Sequence, residues 1–403
     1  MWYSYIRDTL SIMNFQRTVV ASLLVWTLIP VSTFARETRN PQIVTFDVNE
    51  LLFSLQIKEP SANLVGFTAT PTGDHHGFLF DNGQSTAIYR DGEKVYSGMS
   101  SKCSQQAYFF WMTDDGHLVY TPNCTSLYLD DTLLVNNSTV LEMGVTNAAY
   151  EKGVFYYING SSIEGYKPST KKRDVLYKHN VVRILYLRKN GEHIAYATEE
   201  SFEKYAIYRD GKKLADQKID NPTNFLLTKE GDVYYFTYND DKYSIYKDKR
   251  KFFTGKGIGA SIFEDDNGVV WHASYINNTD PNKIIISFYK AQNKKNLFPS
   301  TVGNLEGAII FKNSQPAVRV LKKGTKNDFY LFKNLKMIGK AFKFFPVDYN
   351  GPFFASNGKV YMRNYDGTRW QAYEDGQPIL QNAFSQVWLV KKQADDSIAI
   401  YGY

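Results

Sequence analysis

The sequence predicts an all-β protein, and three observations carry that expectation. Aromatic residues make up 16% of the 403 residues, with 30 Tyr and 27 Phe, and such side chains suit half-buried pleated surfaces. A short phrase of alternating apolar and polar residues, closed by a turn, recurs about every 41 residues. A second, glycine-marked strand precedes most copies, and no long helical periodicity competes.

The phrase is clearest in Ala87-Ile88-Tyr89-Arg90-Asp91-Gly92 and Ala206-Ile207-Tyr208-Arg209-Asp210-Gly211. Ser244-Ile245-Tyr246-Lys247-Asp248, Gln371-Ala372-Tyr373-Glu374-Asp375-Gly376, Ser126-Leu127-Tyr128-Leu129-Asp130 and Tyr330-Leu331-Phe332-Lys333-Asn334 are weaker copies. Aligned on the aromatic, the markers are Phe46, Tyr89, Tyr128, Tyr166, Tyr208, Tyr246, Tyr289, Phe332 and Tyr373. Gly116, Gly153, Gly191, Gly231, Gly268 and Gly358 each introduce the apolar strand before a marker, and Gly77 does the same before Phe78-Leu79-Phe80. Asp-Gly between alternating hydrophobics is a hairpin signal, because both central residues of a type I′ turn need φ > 0.

Each unit therefore reads as strand A, a tight Gly turn, strand B, a loop, strand C, an Asp-Gly turn and strand D. Four antiparallel strands per 40 or so residues is one blade of a β-propeller. The expected architecture is a single propeller of eight to nine four-stranded blades. Its ends read as the halves of one composite blade. Gln386–Val390 and Ser397–Tyr401 supply strands A and B, while Ile43–Phe46 and Leu51–Phe53 supply C and D. A ring closed in this way buries every blade face without capping units.

Residues 1–35 read as a secretory signal. Arg17 precedes an apolar run from Val19 to Val31, and Thr33-Phe34-Ala35 places small residues before the cleavage point. The run is shorter than the ~20 residues of a membrane span, so the expected domains are a signal, 1–35, and a propeller, 36–403, with no span after cleavage. The expected location is secreted or periplasmic. Cys103 and Cys124 are the only cysteines, and in an exported chain they suggest one disulfide. They lie nearly equidistant from the turn Asp114-Asp115-Gly116, hence opposite one another at the open end of that hairpin.

The net charge of +6 is a mild excess. Its lysine clusters fall where edge strands use Lys against sheet association, so no nucleic-acid partner is expected. No phosphate loop, dinucleotide fingerprint, zinc-protease or serine-hydrolase motif occurs. No cofactor and no metal site is expected. His75-His76 lack a third ligand, and Glu264-Asp265-Asp266-Asn267-Gly268 occupies an ordinary turn position. The sequons starting at Asn123, Asn136, Asn137, Asn159 and Asn277 are compatible with glycans in a eukaryotic secretory pathway.

The repeats resemble those of WD40-like and TolB-like propellers over nearly all of residues 43–403, although the Trp-Asp dipeptide of true WD40 repeats is absent. The resemblance implies a ring-shaped binding platform and brings no catalytic residues. Its A–B and C–D turns would share one face and its longer B–C and D–A loops the other. The B–C loops vary most, and function concentrates in variable loops on rigid scaffolds. Candidate ligand-binding residues there are Trp370, Asp366, Arg369, Asp280, Asn277 and Asp240, with Trp370 the best platform. The expected function is a non-catalytic scaffold for a protein or peptide; the alternative is a carbohydrate-binding or glycoside-cleaving propeller.

Overall fold

The computed structural model describes residues 41–59, 62–99, 110–122, 126–136, 148–202, 204–214, 224–239, 242–277, 284–290, 301–302, 305–313, 315–321, 328–334, 336–343, 352–365, 368–380 and 383–403. Pro41–Tyr403 is one compact unit. It is a nine-bladed β-propeller.

Blade 1 comprises strands Asn63–Ala69, His76–Asp81, Ser85–Arg90 and Glu93–Met99, paired in that order. Blades 2 to 5 repeat the meander over residues 110–135, 148–178, 183–213 and 225–256. Blades 6, 7 and 8 span 258–302, 305–343 and 353–379. Blades 7 and 8 also touch through one backbone pair, Lys343 opposite Tyr365. Each aromatic marker from Tyr89 to Tyr373 lies in strand C of its blade, including those of the two most divergent units, around Tyr166 and Phe332.

The turns follow the residue chemistry. Asp91 and Gly92, Asp210 and Gly211, and Asp375 and Gly376 all have positive φ, between 44° and 87°, as type I′ turns require. Gly77 departs from expectation. It lies inside strand B, and the turn belongs to Gly73, φ 75°. A Cβ at Gly77 would lie 2.7 Å from Leu118 Cδ1 of blade 2, so this glycine permits close blade packing. Between blades the core is aromatic. Tyr120, Tyr157, Tyr196, Tyr235, Tyr361 and Tyr401 are all nearly fully buried.

The composite blade forms, with two corrections. Its strands are Val387–Lys392, Ile398–Gly402 and Ile43–Asp47, but the third runs parallel to the second, Ile43 facing Ile398 and Asp47 facing Gly402. A hairpin forces neighbours to be antiparallel; a strand from the far end of the chain has no hairpin to obey. Leu51–Phe53 are not strand D. They belong to helix α1, Val48–Ser54. Asp47 caps it, accepting from Asn49 N at 2.8 Å and Glu50 N at 3.4 Å, and Glu50 sits in the first turn where the helix dipole favours acid. Val48, Leu51, Leu52 and Leu55 follow helical spacing and pack with Phe46, Phe67, Tyr89 and Tyr401. The closure is thus three strands and a helix.

Candidate functional site

On the turn face the Asp of the C–D turn plays one recurrent hydrogen-bonding role. In blade 1, Asp91 Oδ1 accepts from His76 N at 2.7 Å and Oδ2 lies 2.8 Å from His75 Nδ1. The same pattern joins Asp130 to Leu118 N and His117, at 2.9 and 2.7 Å. It recurs in Asp210 with Ile194 N and His193, at 2.9 and 2.8 Å. Asp248 and Asp375 hold Val233 N and Val360 N likewise, at 3.1 and 2.8 Å. The turn carboxylate therefore clips strand B to the C–D turn, satisfying a donor that would otherwise be orphaned.

The residue before this turn position, which is Asp in most blades and Asn334 in blade 7, reaches the next blade. Arg90 Nη1 lies 2.8 Å from Asp130 Oδ1, Arg209 Nη1 2.9 Å from Asp248 Oδ1, and Lys333 Nζ 2.9 Å from Asp375 Oδ2. The phrase Tyr-Arg-Asp-Gly thereby has four duties: core aromatic, latch to the next blade, clip and left-handed turn. A second set of ties follows strand A. Lys391 Nζ donates to Ala69 O at 2.6 Å and Asn190 Nδ2 to Leu227 O at 3.2 Å, and Lys312 donates to Ala355 O. Burial lowers the Lys391 pKa, against the opposing pull of Asp114.

The His75-His76 pair and the acidic turn are used in the same manner. His75 is held by Asp91. His76 lies among Phe67, Phe78 and Tyr401, and burial lowers its pKa. Asp265 accepts from Asn267 N and Val269 N and, through Oδ2, from Trp271 Nε1 at 2.9 Å. Glu264 accepts from Lys229 N at 3.0 Å and Asp266 from Asn313 N, so each acid of that turn is engaged by the protein itself. Among the described residues no three His, Cys, Asp or Glu side chains cluster as metal ligands.

On the loop face, Asp240, Asp280 and Asp366 lie outside the described residues, as do Cys103 and Cys124. Asn277 ends strand B of blade 6. Trp370 opens strand C of blade 8 but does not present an open platform. The Arg363 guanidinium lies 4.3 Å from its ring centre, and Tyr365 packs against it with centroids 5.8 Å apart. Arg363 in turn donates to Trp388 O, and Arg369 to Phe384 O at 3.1 Å, tying blade 8 to the composite blade. Glu199 pairs with Arg183 at 2.7 Å, and Glu200 takes Lys213 at 2.8 Å and the Tyr208 hydroxyl at 3.1 Å.

Among the described residues this face also exposes large apolar side chains. Phe202 is 86% exposed in the B–C loop of blade 4, Val182 is 63% exposed before its strand A, and Met99 is 87% exposed at the end of strand D in blade 1. None was singled out in the sequence. The signal for Phe202 was present, since it is an isolated aromatic within Glu199-Glu200-Ser201-Phe202-Glu203-Lys204.

No protein-family model matches the chain, and no curated protein sequence does. Its backbone is similar to that of a solved eukaryotic initiation factor, at 13% identity and TM-score 0.50, covering 80% of this chain and 88% of that one. Virginiamycin B lyase from Staphylococcus aureus aligns at 11% identity over 65% and 93% of the two chains, with TM-score 0.39. Hsv2p of Kluyveromyces lactis aligns at 10% identity over 67% and 92%, with TM-score 0.34. At these identities the likeness is one of architecture, and the chain is a nine-bladed β-propeller.

Proposed function

We propose that the chain is an exported, non-catalytic propeller that binds a protein or peptide outside the cytoplasm. The observation that carries this reading is the exposure of Phe202 and Val182 on the loop face of blade 4, where the neighbouring charges Arg183, Glu199 and Glu200 are already paired. Apolar anchors within a polar rim are what a protein partner desolvates most profitably. The apolar run Val19–Val31 and the small residues before Arg36 support export. No nucleic acid is expected as partner. The carbohydrate reading loses ground because Arg363 covers Trp370 and because the described loop-face carboxylates Glu199 and Glu200 are engaged rather than poised for the paired acid chemistry of glycoside cleavage.

The test is affinity capture from the extracytoplasmic fraction by the wild-type chain and by Phe202→Asp and Val182→Asp. A partner held by wild type and released by both substitutions supports the reading. Equal capture by all three, or a thermal shift with an oligosaccharide alone, goes against it. N-terminal sequencing of the mature protein starting at Arg36 tests the export step.

A further inference from the structure

The junction of blades 3 and 4 holds a cleft of about 350 Å3, opening beside the A–B turns. Its apolar wall is Leu176, Tyr177, Tyr156 and Ile194, and its charges are Glu151, Glu192, Lys152 and Lys189. Leu176 reaches this wall because strand D of blade 3 bulges there: Glu164 faces Val175 and Ile163 faces Tyr177, so Leu176 has no opposite residue. Bulges re-aim side chains in this way.

Lys189 is the fixed cation of the site, its side chain only 6% exposed. Its Nζ lies 3.3 Å from Glu151 Oε2 and 5.1 Å from the Tyr156 ring centre, and it donates to Gly191 O. An ammonium has three donors, so one remains. Lys152 and Glu192 are exposed at the rim. Neither side chain has an ion-pair or hydrogen-bond partner among the described residues.

We infer that this cleft binds a small zwitterion with an apolar side chain, of amino-acid or dipeptide size. Glu192 takes the ammonium, Lys152 and the spare Lys189 donor take the carboxylate, and Leu176, Tyr177 and Ile194 take the side chain. A lining with two acids and two bases has no net charge to favour an ion of one sign, and its unpaired Glu192 and Lys152 match a ligand that carries both signs. The volume stands at the small end of ligand pockets, which run from about 300 to 1,000 Å3. The site is on the turn face and stands independently of the loop-face reading.

The test is calorimetric titration of the full chain with the dipeptide Leu-Leu, with its N-acetylated form and with its C-terminal amide. Saturable binding of Leu-Leu is expected, weakened roughly tenfold or more by either cap, by Glu192→Gln and by Lys152→Gln. Glu192→Gln should add little to the loss from N-acetylation. Both substituted side chains are exposed, so unchanged melting temperatures verify folding. Absence of saturable binding up to about 10 mM, or a cap or substitution that leaves the affinity unchanged, would overturn the assignment.

Discussion

Replacing Asp130 by Ala measures how much one clip contributes to the ring. Asp130 holds Leu118 N at 2.9 Å, Arg90 at 2.8 Å and His117 at 2.7 Å. Leu118 is fully buried, so removing its acceptor leaves an orphaned N–H, at about 1–3 kcal/mol. The Arg90 pair is partly exposed, 26% and 19% on its two sides, and after screening adds about 0.5 kcal/mol. Asp130 has φ 51°, and Ala tolerates that region less well than Asp, at about 1 kcal/mol more. The expected loss is about 2.5–4.5 kcal/mol. Asp130→Asn keeps an acceptor and the left-handed tolerance, so it should lose less than half of that. Asp131→Ala, at an exposed neighbour, should stay within about 0.5 kcal/mol of wild type. Urea unfolding followed by circular dichroism and fluorescence reads all three, coincident transitions being required for the comparison. An Asp130→Ala variant as stable as Asp131→Ala would refute the clip. A cycle of Arg90→Gln with Asp130→Asn showing no coupling would refute the inter-blade latch.

Further outcomes follow from other residues. His272 is fully buried against Phe253 and Tyr289, and burial lowers its pKa to about 4. It stays neutral when folded, while the unfolded chain protonates it below about pH 6.5. Stability should therefore fall by about 3 kcal/mol as pH drops from 6.5 to 4, and His272→Phe should flatten that slope; an unchanged slope sinks the assignment. A Cβ at Gly116, φ 87°, would lie 2.3 Å from His75 Cδ2, so Gly116→Ala should cost about 2 kcal/mol or more in urea unfolding. If the chain is exported as proposed, non-reducing mass spectrometry should show Cys103 linked to Cys124, and reduction should cost about 3 kcal/mol; two free thiols would remove that expectation.

The blade pattern was legible because it is local. Asp-Gly turns require positive φ within two adjacent residues, and the aromatic of strand C stands at a fixed distance from its turn, so Tyr89 through Tyr373 all fell in the expected strand. Helix α1 was legible too, in the Asp47 cap, the Glu50 charge and the spacing of Val48, Leu51, Leu52 and Leu55, but a strand was expected there by analogy with the other blades. The parallel register of Ile43–Asp47 had no local signal, since its partner is hundreds of residues away. The Arg in Tyr-Arg-Asp-Gly was visible, whereas its partner in the next blade depends on ring geometry. The candidate site was less legible. Trp370 offered a platform by composition, and only three dimensions bring Arg363 over its ring. Lys189, Glu192 and Leu176 come together through a bulge and a blade junction that no stretch of sequence spells out.

The parallel pairing of the two chain ends bears on biosynthesis. Ile43 emerges from the ribosome early and can find Ile398 only after the intervening blades have been made, a wait of roughly 20–70 s at about 5–20 residues per second. Throughout that interval Phe46 lacks Tyr401, on which it finally stacks at 4.7 Å, and the leading blade has an unsealed flank. The nascent chain thus keeps its ring open until the strand Ile398–Gly402 has been made. Speeding or slowing elongation would change how long that flank is offered to chaperones, without altering a single contact of the finished ring.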